Sequence, residues 1–362
     1  MIKIPVYQPN LTGHEAQYVN DCLASNWISS KGKYIERFEK AFSTFTDAPY
    51  SIAVCNGTVA LHLALVALGV GPGDEVIVPT LTYIASVNAI TYTGATPVFA
   101  DCLRATWQLD PADVERKLTP RTKAIMAVHL YGHPCELSEL NRIAKENRLL
   151  LLEDCAEALG SYYEGTHVGT IGDIGTFSFY GNKTITTGEG GMLTTNNPTL
   201  WERAVHFKGQ GLAKHREYWH DVVGYNYRMT NLCAAIGLAQ LERVEDILAR
   251  KRAIADLYKL ALSGSPYEVQ AEGSNVKHSY WMVSILIPEA AQRDAIREHL
   301  LKHGIETRPV FYPAHLMPMY SSLYQQHAVS EDIGARGINL PSYPDLKDEE
   351  VRFVCETLLA FS

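Results

Sequence analysis

Four consecutive leucines, Leu149-Leu150-Leu151-Leu152, run directly into a pair of acids, Glu153-Asp154. A strand with one wet face alternates apolar and polar residues, so an unbroken apolar run needs cover on both faces. From residue 51 onward similar short β-branched runs recur, and they predict strands over 51–54, 75–78, 97–100, 124–129, 149–153 and 175–179. Helical patterns separate them over 59–68, 84–92, 112–118 and 138–147, with Asp110-Pro111 as a start signal in which Asp caps and Pro fits the first turn. The economical solution is an α/β domain with a largely parallel sheet. Ligands of such sheets bind beyond the carboxyl ends of the strands, where Glu153-Asp154 stands.

Two further helices are expected before this region, over 15–23 and 35–45, joined by the polar loop Asn26-Trp27-Ile28-Ser29-Ser30-Lys31-Gly32. Trp27 anchors a plain connector or belongs to a loop covering a ligand. After the sheet, helical patterning returns over 200–207 and 232–259, and Ser263-Gly264-Ser265-Pro266 breaks it. A strand over 280–287, a helix over 289–303 stopped by Gly304 and a last helix over 348–359 suggest a smaller α+β unit. For 362 residues the expected division is 1–245, a large cofactor-binding domain, and 246–362, a small C-terminal domain.

The formal charge of -8 offers no footprint for nucleic acid or an anionic membrane. Seven cysteines, Cys22, Cys55, Cys102, Cys135, Cys155, Cys233 and Cys355, are scattered singly, which argues against a disulfide framework and for a reducing compartment. Charged residues interrupt every apolar run before membrane-spanning length, and the first residues lack an apolar signal core. The expectation is a cytoplasmic protein whose partners are small molecules or proteins.

The stretch Phe177-Ser178-Phe179-Tyr180-Gly181-Asn182-Lys183, followed by Thr184 to Gly191, sets a lysine between an aromatic run and a glycine-rich turn. An amine in buried surroundings loses proton affinity and becomes a nucleophile. The working expectation is a Schiff base between Lys183 and pyridoxal 5'-phosphate, a cofactor that also needs a carboxylate at its ring nitrogen and a phosphate cradle. Asn56-Gly57-Thr58 follows a strand and opens a helix, so its backbone N–H groups suit a phosphate, although an ordinary capped helix looks the same. Ser178 could add a hydroxyl. Asp154 is the candidate ring-nitrogen partner, with a salt bridge under the next helix as the alternative. Tyr83 could stack on a flat ring or simply pack in the core. His129, His133 and Cys135 lack a nearby fourth ligand, so no metal site is expected. His215 and His220 are read as packing or substrate-facing. Asn226 to Asn231 precede a helix rich in small residues, which could form a subunit interface or an internal helix pair.

Taken in order and spacing, Asn56-Gly57-Thr58, Pro79-Thr80-Leu81-Thr82-Tyr83, Glu153 to Gly160 and Asn182-Lys183 with Gly188-Glu189-Gly190-Gly191 resemble the nucleotide-sugar aminotransferases of aspartate-aminotransferase (fold type I) architecture. The resemblance covers essentially the whole chain. It implies that Lys183 carries the cofactor, Asp154 pairs with its pyridine nitrogen and Tyr83 stacks on its ring. It implies too that Asn56, Gly57, Thr58 and Ser178 form the phosphate site. Glu157 stands where many members have Gln beside the ring hydroxyl. Asn226 would reach the neighbouring subunit's cofactor phosphate, which implies a homodimer with shared sites. A related branch has histidine in place of the lysine and removes a sugar hydroxyl; Lys183 implies amine transfer instead.

Within the family, Phe207 to Leu212, Tyr218-Trp219-His220-Asp221 and Arg308 to Pro313 look most like the branch acting on GDP-4-keto-6-deoxymannose. That implies transfer of an amino group from glutamate to C4 of the sugar through a pyridoxamine 5'-phosphate form, as in O-antigen lipopolysaccharide precursors. A dTDP- or UDP-linked keto sugar is the alternative substrate, and a cofactor-binding regulatory protein the non-enzyme alternative. Trp27, Arg308, Tyr312 and His315 are the expected substrate contacts.

Overall fold

The computed structural model describes residues 2–361. Nine strands form in the first two hundred residues: β1 (Tyr50–Val54), β2 (Glu75–Pro79), β3 (Thr96–Ala100), β4 (Thr122–Val128), β5 (Leu150–Asp154), β6 (Tyr162–Tyr163), β7 (Thr166–His167), β8 (Ile174–Ser178) and β9 (Gly191–Thr195). Seven make one sheet in the order β1-β9-β8-β5-β4-β2-β3. All run parallel except β9, which is antiparallel to both neighbours. The leucine run behaves as its pattern requires. Leu151 enters the core on one face, against the helices Lys33–Thr46, Leu137–Asn147 and Asn231–Leu241. Leu150 and Leu152 enter the other, against Gly57–Leu68, Ile84–Tyr92 and Pro198–Lys208. Alternate strand residues thus both meet helices, and the sheet is covered twice.

Strand β9 is absent from the sequence-based expectation because its short run follows four residues that read as a turn. Its consequence is local: the chain leaves β8 at Ser178, loops through 179–190 and returns beside it, pairing Ser178 with Gly191. Lys183 lies on that return loop, at the carboxyl edge of the parallel strands.

The small residues of the helix Asn231–Leu241 serve internal packing. A β-carbon on Gly237 would lie 2.6 Å from the Phe38 ring, and Phe38 is fully buried. The continuous helix expected over 232–259 divides at Glu242-Arg243 into Asn231–Leu241 and Val244–Ala261.

Strands β10 (Glu268–Val269), β12 (Val283–Leu286), β13 (Arg308–Pro309) and β14 (Gly337–Leu340) form a second, antiparallel sheet in the order β10-β12-β14-β13. β11 (Val276–Lys277) instead extends the β6–β7 hairpin. Val244–Ala261, Arg293–Lys302 and Asp348–Leu359 pack on the second sheet around Ile254, Tyr258, Leu300 and Val354. β12 starts later than expected because Tyr280 turns the chain with φ 51°. The helix expected from residue 289 begins at Arg293, after a single tight turn over Ala290–Gln292.

Besides β11, the N-terminal segment crosses the expected division of the chain. The N–H groups of Lys3 and Ile4 bond to the carbonyl of Gly304, that of Glu306 to Ile4, and that of Ser342 to Val6. Residues 3–7 therefore dock on the second sheet. No helix among the described residues is long and apolar enough to cross a membrane.

Candidate active site

The two acids that end β5 point to opposite faces, as strand alternation demands. Glu153 is fully buried and accepts the N–H groups of Gly169, Ile171 and Gly172 together with Nε2–H of His129. His129 Nδ1 in turn accepts the N–H of Cys135, which assigns the ring proton to Nε2. His129 and Glu153 are thus a hydrogen-bonded anchor for the loop before β8, with the Cys155 thiol within 4.8 Å of both.

Asp154 faces the cleft. Ser86 donates to its Oδ2 at 2.7 Å and the N–H of Ala156 to its Oδ1 at 3.1 Å. Burial raises its pKa, and Ser86, Ala156 and the charge of Lys183 oppose the rise. Ser86 lies one turn along the helix that Tyr83 opens, so one helix end supplies both residues.

Lys183 extends from the β8–β9 loop to within 3.5 Å of Oε1 of Glu157, its side chain only 12% exposed. Its Nζ also lies 3.8 Å from the centre of the Trp281 ring. Burial lowers the pKa of the amine, against the pull of Glu157 and Asp154. The other oxygen of Glu157 accepts the N–H of Tyr131 at 2.8 Å. Tyr131 adopts φ 59°, a left-handed conformation costly for a side-chain-bearing residue, and that turn aims its N–H at the carboxylate. Burial pushes the pKa of Glu157 up to about 7, with Lys183 opposing. Two carboxyls and one amine share a dry site, where burial raises the carboxyl pKa values and lowers that of the amine.

The phosphate turn is built at the end of β1. The Asn56 side chain accepts the N–H of Val59 at 2.9 Å and is occupied as the helix cap. The N–H groups of Gly57 and Thr58 have no acceptor within the helix. Ser178 lies so near that a β-carbon on Gly57 would fall 2.9 Å from its Oγ. The N–H pair and the hydroxyl frame a cradle that only glycine leaves open. Tyr83 caps its helix with a ring 55% exposed, 5.4 Å from Phe311. Anion-binding N–H groups, a buried carboxylate, a primary amine and a free aromatic face together fit pyridoxal phosphate.

The remaining expected residues lie apart from this set. Asn226 is exposed, and its amide oxygen accepts both Nε–H and Nη2–H of Arg228. Trp27 is exposed over a surface depression it shares with Lys31, Lys33 and Asn231. Arg308 and Tyr312 are exposed, and Tyr312 accepts from Arg293. His315 is fully buried, bonded to Thr80 at 2.6 Å and Glu331 at 3.2 Å. Ser86, Tyr131, Trp281 and Tyr7 were missed by sequence reasoning. Only Ser86 carried a signal, one helical turn from Tyr83.

Residues 9–359 match the DegT/DnrJ/EryC1/StrS aminotransferase family. The chain is 62% identical over 358 residues to the GDP-perosamine synthase of Escherichia coli O157:H7, spanning 99% of this chain and 98% of the relative. It is 50% identical over 359 residues to the GDP-perosamine synthase of Vibrio cholerae, spanning 98% of each. Among solved structures, Spr1654 from Streptococcus pneumoniae, assigned as a sugar aminotransferase, is 32% identical with a TM-score of 0.94 in its PLP-form. The match covers 98% of this chain and 97% of that one. Its PMP-form matches with the same identity and TM-score.

Proposed function

The chain belongs to the DegT/DnrJ/EryC1/StrS aminotransferase family, and on that premise we propose that Lys183 is the amine through which it aminates a sugar nucleotide. It is a pyridoxal-phosphate-dependent aminotransferase that converts GDP-4-keto-6-deoxymannose to GDP-perosamine. The observation that carries the role of Lys183 is its amine, buried against Glu157 beside the strand end that bears Asp154.

When bound, pyridoxal phosphate supplies an aldehyde that holds the amino group between donor and acceptor and a ring that takes up electron density. Gly57 and Thr58 N–H groups and the Ser178 hydroxyl hold its phosphate. Asp154, kept in place by Ser86 and Ala156, is the carboxylate that would pair with the ring nitrogen. Tyr83 offers a ring face. Lys183 Nζ, its proton affinity lowered by burial, takes the Cα proton of glutamate in the first half-reaction and delivers one to sugar C4 in the second. Glu157, at 3.5 Å, holds a proton in exchange with that amine. Trp27, Arg308 and Tyr312 are the surface candidates for nucleotide contact.

The same reading includes a homodimer. Arg228 occupies the amide oxygen of Asn226, leaving the NH2 end to donate to an anion on a second copy. The nearby segment 212–223 exposes Tyr218, Trp219 and Val223, an apolar surface suited to a partner. It further includes a large unit 1–245, a small unit 246–362 joined by residues 3–7, and a cytoplasmic setting.

The test is to add glutamate to the purified protein and follow the visible band. Loss of the band with release of 2-oxoglutarate is expected. Mass-spectrometric product identification over a panel of GDP- and dTDP-4-keto-6-deoxy sugars then decides the substrate, and turnover of dTDP sugars alone would overturn the GDP assignment.

A further inference from the structure

The backbone of the Lys183 loop is held from outside its own sheet. The carbonyl of Asn182 accepts the indole N–H of Trp281 at 2.6 Å. The next carbonyl, that of Lys183 itself, accepts the hydroxyl of Tyr7 at 2.5 Å. Trp281 comes from the segment entering β12, and Tyr7 from the N-terminal segment docked on the second sheet. Two consecutive peptide units are thus fixed by two aromatic donors, while Lys183 N–H bonds back to Tyr180 at 2.9 Å.

Tyr7 has its own support. Lys251, fully buried on the helix Val244–Ala261, places Nζ 5.2 Å from the centre of the Tyr7 ring. That amine donates to the carbonyl of Ser342 at 2.7 Å, and Ser342 N–H binds the carbonyl of Val6 at 3.1 Å. Ser342 alone receives hydrogen bonds from this amine among the described residues, and burial without a charged partner lowers its pKa to about 7, an arrangement costly for stability alone. Trp281 acts twice, because its ring face also lies 3.8 Å from Lys183 Nζ. A lysine side chain is long and flexible, so the direction of its Cα–Cβ bond and the surface under its stem decide where the amine points.

We propose that Tyr7 and Trp281 are positioning residues for Lys183, gripping the carbonyls of Lys183 and Asn182 so that a productive amine requires residues 3–7 docked on the second sheet. The proposal rests on Lys183 being the reacting amine. Tyr7 acts through the loop backbone alone, whereas Trp281 grips the backbone with its indole N–H and also lays its ring face beside the amine.

The test compares Tyr7→Phe and Trp281→Phe with the unchanged protein, first as holoenzyme. Loss of one hydrogen bond at a point that sets reacting geometry should lower kcat about three- to tenfold while KM for glutamate and for the sugar nucleotide stays within about twofold. The second readout is independent of turnover. In cofactor-free protein, acetylation of Lys183 by acetic anhydride, quantified by peptide mass spectrometry, should proceed about threefold faster or more in both variants as the loop is released. A residue that merely stabilised the fold would lower the melting temperature and leave both readouts unmoved. Folded variants whose kcat and Lys183 acetylation rate both stay within twofold of the unchanged protein overturn the proposal. Should Tyr7→Phe fail to fold, Trp281→Phe decides by the same criteria. Failure of the underlying reading is distinct: Lys183→Ala would then still transaminate.

Discussion

A β-carbon on Gly57 would stand 2.7 Å from the β-carbon of Ser178, closer than real side chains approach. The start of one helix and the last residue of β8 therefore pack so closely that only glycine fits at the contact. The contact lies at the carboxyl end of the sheet, where the free N–H groups of the helix start gather.

Gly57→Ala should close the cradle. The new methyl group must push Ser178 aside or tilt the helix start, and cofactor affinity, read by absorbance titration, should fall by more than about tenfold. Ser178→Ala removes one hydrogen bond to a charged group, about 1.5–3 kcal/mol, and should weaken the cofactor by about ten- to a hundredfold without disturbing the melting temperature of cofactor-free protein.

Lys183→Ala should abolish the visible band and turnover together. Lys183→Arg should do the same although it preserves charge, because a guanidinium stays protonated and cannot act as nucleophile or base. Absorbance spectra and kcat of the two variants check this. Retained transamination in either one removes Lys183 from its assigned role.

Asp154→Asn exchanges a buried anion for a neutral amide at the same size. kcat should fall at least about a hundredfold, roughly 2.7 kcal/mol of lost charge stabilisation. Ser86→Ala keeps the carboxylate but removes its 2.7 Å donor. A fall of about tenfold is expected there, with the carboxyl pKa raised further. Steady-state kinetics of both variants separate the charge from its support.

Glu157 gives a pH signature. Its pKa is about 7 in the folded chain and about 4.3 when unfolded, so folding favours its protonated form. That contribution is complete below about pH 4.3 and is lost as pH rises to about 7. Glu157→Gln stays neutral throughout and escapes the loss. Cofactor-free Glu157→Gln should therefore gain steadily on the unchanged protein as pH rises from 5 to above 7, by on the order of 3 kcal/mol. Thermal or urea melts across pH 5–8 measure this, and a difference that does not grow with pH would refute the raised pKa.

The residues legible in the sequence share one property: their neighbours in the chain define their surroundings. Asp154 closes an apolar strand, Gly57 opens a helix, and Lys183 sits between aromatics and glycines, so local pattern places each at a strand end. Helix ends such as Ile84–Tyr92 and Asp348–Leu359 follow from the same local rules. Strand β9 was hidden because a return strand after a glycine turn needs no crossover helix to announce it. Tyr7 and Trp281 were hidden for a different reason: each meets Lys183 across 176 residues or more than ninety, through a backbone carbonyl that carries no side-chain identity. The burial of His315 is likewise hidden, since it depends on Thr80, a partner 235 positions away that its own neighbours in the chain do not announce.

The docking of residues 3–7 also sets an order in time. Val6 bonds to Glu306 across 300 positions, and its carbonyl is held by Ser342. Contacts that far apart form late and slow a fold that depends on them. During synthesis all seven strands, with the lysine, the carboxylate and the Asn56-Gly57-Thr58 turn, have emerged by residue 195, and the helices that cover both faces by residue 241. The hand of Tyr7 on that lysine arrives only after Ser342 leaves the ribosome. A half-made chain therefore carries an amine not yet aimed, and reactive chemistry is withheld until the second sheet exists to receive the segment that was translated first.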